Sequence, residues 1–305
     1  MPNASRRVLV LTGPTSSGKT SVACAVSQVS DDLVIINADS KQVYRELPIL
    51  TSQASCGMLY GYLSVFDEFI PSVASWMRDC ADCLESVWAQ KGIPLIVGGT
   101  PMYLYSLLHG INLLPSLPDC LMRELSEELD NLGPSGFLNR FVCKSGEDLS
   151  RFSCDSYKML RDVAYFLYTG KTIQELYRES SVYKIPYDSI DVVAIIPSDR
   201  DSLYSKINER FLEAVNSGAI DEVASVVENK AAFRNRAVTT ICGFREIASY
   251  LRDEITLERM VAMGQRSIRN YAKRQLTWFR NKFNGIKAFD QPQDAERYIL
   301  REILL

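Results

Sequence analysis

Histidine is almost missing from this sequence: His109 stands alone among 305 residues. A proton relay or a metal cage built on paired imidazoles is thereby excluded. Cysteine occurs eight times, at Cys24, Cys56, Cys80, Cys83, Cys120, Cys143, Cys154 and Cys242. These are spread thinly through a chain long enough to bury a core without disulfide staples, which points to a reducing cytoplasm. Cys80 and Cys83 form a CxxC, but no second such pair and no His pair accompanies it, so a structural zinc site is not expected. Long apolar runs are missing too. Val8 to Leu11, after Arg6 and Arg7, is cut short by Gly13 and Pro14, and nothing approaches the ~20 apolar residues of a membrane span. Net charge is small, at 34 basic against 37 acidic residues or −3, so the chain as a whole has no bulk attraction for nucleic acid. There is no internal repeat or low-complexity segment. With 47% hydrophobic and 23% charged residues the composition is that of a globular protein, and the length suggests about two domains.

The charge is unevenly placed. From Lys230 to Lys282 there are 12 Lys and Arg against 4 Asp and Glu, a basic surface suited to a polyanion on an otherwise acidic body. The hydrophobic pattern alternates strands and helices. Val8–Thr12, Leu33–Asn37 and Ile93–Val97 are short β-rich runs; Lys19–Val29 and Ser72–Gln90 have helical spacing, with Ser72 as a cap. This predicts an α/β core with a mainly parallel sheet covered on both faces, spanning 1–113 and 190–305. Between them, residues 114–189 lack a strand-like run and are punctuated by Pro115, Pro118, Gly133, Pro134 and Gly146, which predicts an all-helical insertion. Val192–Ile196 resumes the sheet. Asp199–Ser217 reads as an amphipathic helix stopped by Gly218. Further on, Ile268, Ala272, Leu276, Phe279 and Phe283 form an apolar stripe, and Arg266, Arg269, Lys273 and Arg280 a basic one on another face of the same helix. Ile286–Phe289 is a candidate last strand. His109 closes a helix, where a cation is favoured. Tyr103, Tyr105 and Leu107 suit either an apolar channel or the core, and helical apolar residues more often pack in the core.

The chemistry is announced by Gly13-Pro14-Thr15-Ser16-Ser17-Gly18-Lys19-Thr20, a complete GxxxxGK(S/T) between a strand and a helix. Backbone N–H groups and the helix N-terminus converge there on phosphate oxygens, Lys19 neutralises an outer phosphate, and Thr20 lies beside Mg²⁺. An ordinary P-loop ATPase adds an apolar strand ending in Asp. Here Leu95-Ile96-Val97 ends instead in Gly98-Gly99-Thr100. The acid that follows an apolar strand nearby is Asp39, which suits a metal-holding group, a general base or an N-cap equally. A nucleoside or small-molecule kinase and a non-enzymatic RNA-binding protein with a nucleotide-sensing loop both share the P-loop. The missing carboxylate after Val97 and the basic last helix count against the first, and Asp39 and Thr100 against the second.

Taken together, Gly13–Thr20, Asp39-Ser40-Lys41-Gln42-Val43-Tyr44-Arg45, Val97-Gly98-Gly99-Thr100, Gly170-Lys171-Thr172, Gly243-Phe244-Arg245-Glu246 and Tyr271-Ala272-Lys273-Arg274-Gln275-Leu276-Thr277-Trp278-Phe279-Arg280 resemble, in order and spacing, the tRNA dimethylallyltransferases of bacterial type. The resemblance covers essentially the whole chain. It implies a monomer that binds the diphosphate of dimethylallyl diphosphate on Gly13–Thr20 and transfers the dimethylallyl group to N6 of the adenine 3′ of the anticodon. In this reading Asp39 is the base. Lys19, Thr20 with Mg²⁺, Thr100 and Arg210 handle the leaving group. Asp39, Ser40, Lys41, Gln42, Arg245, Lys273, Arg274 and Arg280 meet the tRNA, with Lys158 and Arg161 clasping it from the insertion. Gln42 is suited to an adenine edge. The chain departs from the family pattern at Leu47–Ser55, at Tyr60–Leu63 and at Thr240-Ile241, where a family Arg is replaced, and it has no C-terminal zinc finger.

Overall fold

The computed structural model describes residues 5–67, 71–141, 148, 150, 152, 153, 155–229, 237–283 and 285–304. Cys143, Cys154, Gly146 and the stretch 230–236 lie outside them. In chain order the elements are β1 (Arg7–Thr12), α1 (Lys19–Val29), β2 (Leu33–Asn37), α2 (Pro48–Thr51), α3 (Val73–Ala89), β3 (Ile93–Gly98), α4 (Pro101–His109), β4 (Ile111–Asn112), α5 (Asp119–Phe141), α6 (Ser156–Thr169) and α7 (Ile173–Glu179). They continue with β5 (Val182–Tyr183), β6 (Ser189–Ile195), α8 (Arg200–Ala214), α9 (Ile220–Glu228), α10 (Phe244–Leu251), α11 (Leu257–Lys282), β7 (Lys287–Phe289) and α12 (Pro292–Tyr298).

The described residues form two compact units, one running up to His109 and resuming at Lys184, the other being Gly110–Tyr183. In the first, five strands lie in the order β2-β3-β1-β6-β7, and every pairing is parallel. Side chains on both faces are buried. Leu9, Leu11, Ile35, Leu95, Val97 and Val193 pack with Val22 and Val26 of α1 and Ala295 and Ile299 of α12, while the alternate residues Val8, Val10, Ile36 and Ile96 are buried as well. That two-sided burial explains why the strands read as continuous apolar runs instead of alternating ones. The strand tops, Thr12, Asn37 and Gly98, end side by side, and the loops after them build the site.

A second core of the same unit gathers α8, α9, α10 and α11 around Phe211, Ile247, Met260 and Leu276. The helix break expected at Gly218 is found there: α8 begins after its cap Asp199, whose carboxylate accepts from Asp201 and Ser202 N–H, and Gly218, at φ 114°, leaves helical geometry, so that the chain kinks before a separate helix, α9, begins. Glycine takes that positive φ without a Cβ penalty. The expected cap Ser72 closes a capping box with Ser75. His109 ends α4, its ring 4.4 Å from that of Tyr105. Tyr103 is buried and stacked on Trp76.

The unit Gly110–Tyr183 has its own core of Leu125, Leu129, Phe137, Met159, Leu160 and Val163. The expectation of an all-helical insertion is corrected here, because Ile111-Asn112 pairs antiparallel with Val182-Tyr183. The incoming and outgoing segments run side by side, and pairing satisfies backbone groups that would otherwise be left open.

Candidate functional site

Gly13 leaves β1 so close to β6 that a Cβ there would meet the Ile195 carbonyl oxygen at 2.2 Å. Glycine is the one residue that lets the loop begin. The loop then turns through Ser16 at φ 61° and Gly18 at φ 89° and feeds α1 at Lys19. The hydroxyls of Ser16 and Ser17 are buried without a hydrogen-bond partner among the described residues. Orphaned hydroxyls at a helix N-terminus fit an anion. Lys19 Nζ donates to Pro14 O at 2.7 Å, and burial lowers its pKa to about 8, the Asp39 carboxylate partly offsetting this.

A cavity of about 430 Å³ opens on this loop, lined by Thr15, Ser16, Gly18 to Ser21, Asp39, Gln42, Ser52, Tyr60, Val97, Gly98 and one face of α8: Lys206, Glu209, Arg210 and Glu213. Arg210 Nη2 donates to Thr15 Oγ1 at 2.6 Å, and burial lowers its pKa while Asp39 and Glu213 pull the other way. Asp39 is therefore held among buried cations. Its backbone is fixed by Asn37, whose Oδ1 accepts from Asp39 N–H at 2.8 Å and whose Nδ2 donates to the carbonyls of Asp39 and Leu59. Asp39 Oδ1 accepts from Lys41 N–H at 2.9 Å, so the carboxylate caps a turn with one oxygen, and no helix follows it. Among the described residues no donor engages Oδ2.

Thr100 is absent from the cavity wall. Its Oγ1 accepts from Ser40 N–H at 2.9 Å and bonds Ser40 Oγ at 3.2 Å, and Tyr271, a phenol whose burial raises its pKa, bonds it from α11. Thr100 thus shapes the Asp39–Ser40 turn from behind. Lys41 Nζ donates to Thr240 Oγ1 at 2.6 Å, so the hydroxyl at that departure from the family pattern receives a cation. Gln42 Nε2 donates to the carbonyls of Thr51 and Ser52, both at 2.9 Å. Reading an adenine edge with both amide atoms requires those bonds to open. The divergent segment around α2 is pinned by Glu222, which accepts from Ile49 and Leu50 N–H at 2.7 and 2.8 Å.

On α11, Ile268, Ala272, Leu276 and Phe279 are buried, as is Phe283 just beyond it, while Arg266, Lys273, Arg274 and Arg280 are exposed on the outside. Arg269 is half-buried and donates through Nη1 to Asn208 Oδ1 at 2.5 Å. Arg274 lies 5.8 Å from the centre of the Tyr271 ring. Arg245, on α10, donates to Thr239 Oγ1 at 3.3 Å. In the other unit Lys158 is exposed and Arg161 bonds the Tyr177 hydroxyl. Lys206, Glu209 and Glu213 were not marked by the sequence, because α8 reaches the cavity from far along the chain.

A family model described as IPP transferase matches residues 42–282. A tRNA dimethylallyltransferase of Ehrlichia ruminantium is 31% identical over 97% of this chain and 98% of its own. Among solved structures, the tRNA isopentenylpyrophosphate transferase of Bacillus halodurans superposes with TM-score 0.67 at 23% identity, over 97% of this chain and 96% of that one. A eukaryotic dimethylallyltransferase acting on tRNA superposes with TM-score 0.73 at 21% identity, over 98% of this chain and 77% of that one. With the P-loop, the Asp39 turn and α8 converging on one cavity, and a family match over most of the chain, this protein belongs to the IPP transferase family.

Proposed function

We propose that this enzyme transfers the dimethylallyl group of dimethylallyl diphosphate to the exocyclic N6 of the adenine 3′ of the anticodon, in tRNAs that read codons beginning with U. Relatives that match it end to end carry the name tRNA dimethylallyltransferase. The observation that carries the reading is that Asp39 lines the same cavity as the P-loop, Lys19 and Arg210, so base and diphosphate site face one space.

Adenine N6 is a weak nucleophile, and the bond to carbon forms as its proton leaves. The Asp39 carboxylate takes that proton, the C–O bond to diphosphate breaks, and the leaving group departs with the electron pair toward Lys19, Arg210 and the Ser16 and Ser17 hydroxyls. Thr20 lies on the cavity wall, where its hydroxyl suits Mg²⁺, and no group of three or more His, Cys, Asp or Glu gathers among the described residues to form a dedicated cage. Such a cation is held largely by the phosphates themselves, and when bound it offsets the charge on the leaving group. The adenine must leave its stack to reach Asp39. No helix among the described residues is long and apolar enough to cross a membrane, and we place the reaction in the cytoplasm with the chain as a monomer.

The test is incubation with Mg²⁺, unmodified tRNA and either dimethylallyl diphosphate or ATP, then mass analysis of the digested nucleosides. A dimethylallyl increment on adenosine that depends on the isoprenoid donor is expected. ATP consumption without it transfers the P-loop to the kinase reading. The outer face of α11 is tested separately. Lys273→Glu with Arg280→Glu is expected to weaken tRNA binding by about tenfold or more and to flatten its dependence on log salt by about 2 in slope. An unchanged slope would place this stripe away from RNA.

A further inference from the structure

Gln275 is 1% exposed at the centre of a helix whose outer face is basic. Its Oε1 accepts from Thr15 N–H at 2.9 Å, and its Nε2 donates to Gly99 O at 2.6 Å. One buried amide thus joins the P-loop to the loop after β3. Its neighbours are cut to fit it: a Cβ on Gly99 would lie 2.6 Å from Nε2 and 2.8 Å from Gly13 O. Thr15 is also the residue whose hydroxyl receives Arg210. A glutamine with both ends satisfied in a dry setting is a stiff spacer, and anion loops lose affinity when their N–H groups drift by fractions of an ångström.

We propose that Gln275 is a positioning residue of the diphosphate site: through its two bonds, α11 fixes the height of Thr15 over Gly99 and so the shape of the loop that grips the anion. The inference rests on the diphosphate reading of that loop, and its test needs no transfer to occur. Inorganic diphosphate with Mg²⁺ is titrated into the full chain, and tRNA binding is measured in parallel. Gln275→Met keeps the bulk and removes both bonds; it is expected to weaken diphosphate at least tenfold while tRNA affinity stays within threefold. Gln275→Glu keeps an acceptor for Thr15 but sets a carboxylate against Gly99 O. Its loss, taken as a ratio to wild type at each pH, is expected to shrink from pH 8 to pH 6, because a protonated carboxyl again donates to that carbonyl. A packing role predicts no such pH trend. Gly99→Ala, which displaces the amide without altering α11, is expected to reproduce the selective loss even where the α11 variants fold poorly. Unchanged diphosphate binding in all three variants, or parallel loss of diphosphate and tRNA, overturns the role of Gln275 alone. Failure of the wild-type chain to bind diphosphate overturns the reading of the loop, and this inference with it.

Discussion

Asp39→Ala is expected to slow single-turnover transfer by roughly 10²-fold or more while tRNA affinity changes only a few-fold. In the proposed mechanism the carboxylate has two separable jobs. Oδ1 holds the Lys41 N–H in the turn, and Oδ2 is left to take the N6 proton. Asp39→Asn retains an acceptor for the turn and cannot accept a proton, so it should lose as much rate as the alanine variant with less effect on folding. Rapid quench with prebound tRNA and saturating donor measures this directly. Full single-turnover rate in Asp39→Asn would remove the base assignment, and recovery in asparagine but not alanine would assign Asp39 to the turn.

Lys19→Met is expected to lower diphosphate affinity by 10²-fold or more and, at pH 7, to raise the melting temperature of the ligand-free chain by a few degrees. The two effects share a cause. Burial lowers the Lys19 pKa from 10.5 to about 8, so below pH 8 the fold carries a desolvated cation at a cost of about 3 kcal/mol at 1.36 kcal/mol per pH unit. Because the folded pKa lies below the unfolded one, that cost shrinks as pH rises from 8 toward 10.5. Wild-type stability gains from this group across that window, while diphosphate affinity falls as the charge is lost. Methionine fills the site without the charge. Thermal melts and diphosphate titrations between pH 7 and 10 check both limbs. A variant that melts lower and binds as before would show that Lys19 faces away from the anion.

Much of the core was legible from local pattern. Leu33–Asn37 and Lys19–Val29 begin and end where apolar run, glycine and turn residues place them, because strands buried on both faces and a helix opened by Gly18 are written in neighbouring residues. Gly218 is legible in the same way, as a helix breaker whose φ of 114° ends one helix before α9 begins. Gln42 looked available for a base, since nothing near it announces that Thr51 and Ser52 would claim its amide. Thr100, which the resemblance sets beside the leaving group, turns its hydroxyl to Ser40 and Tyr271, partners that its own neighbourhood in sequence does not announce. Thr240 stood in the sequence only as a departure from a pattern, and its bond to Lys41 spans 199 positions. The motif residues were visible as types, and the partners that aim them were not.

The strap between Thr15 and Gln275 spans 260 positions, and Pro292, at the start of the last α-helix, lies 2.7 Å from where a Cβ on Gly18 would sit. During synthesis at about 5–20 residues per second the P-loop sequence is made first, yet the parts that set its shape emerge last. A nascent or prematurely terminated chain can form early strands without acquiring a finished anion site. On the diphosphate reading of that loop, fragments that stop short of Gln275 are expected to leave the anion unbound.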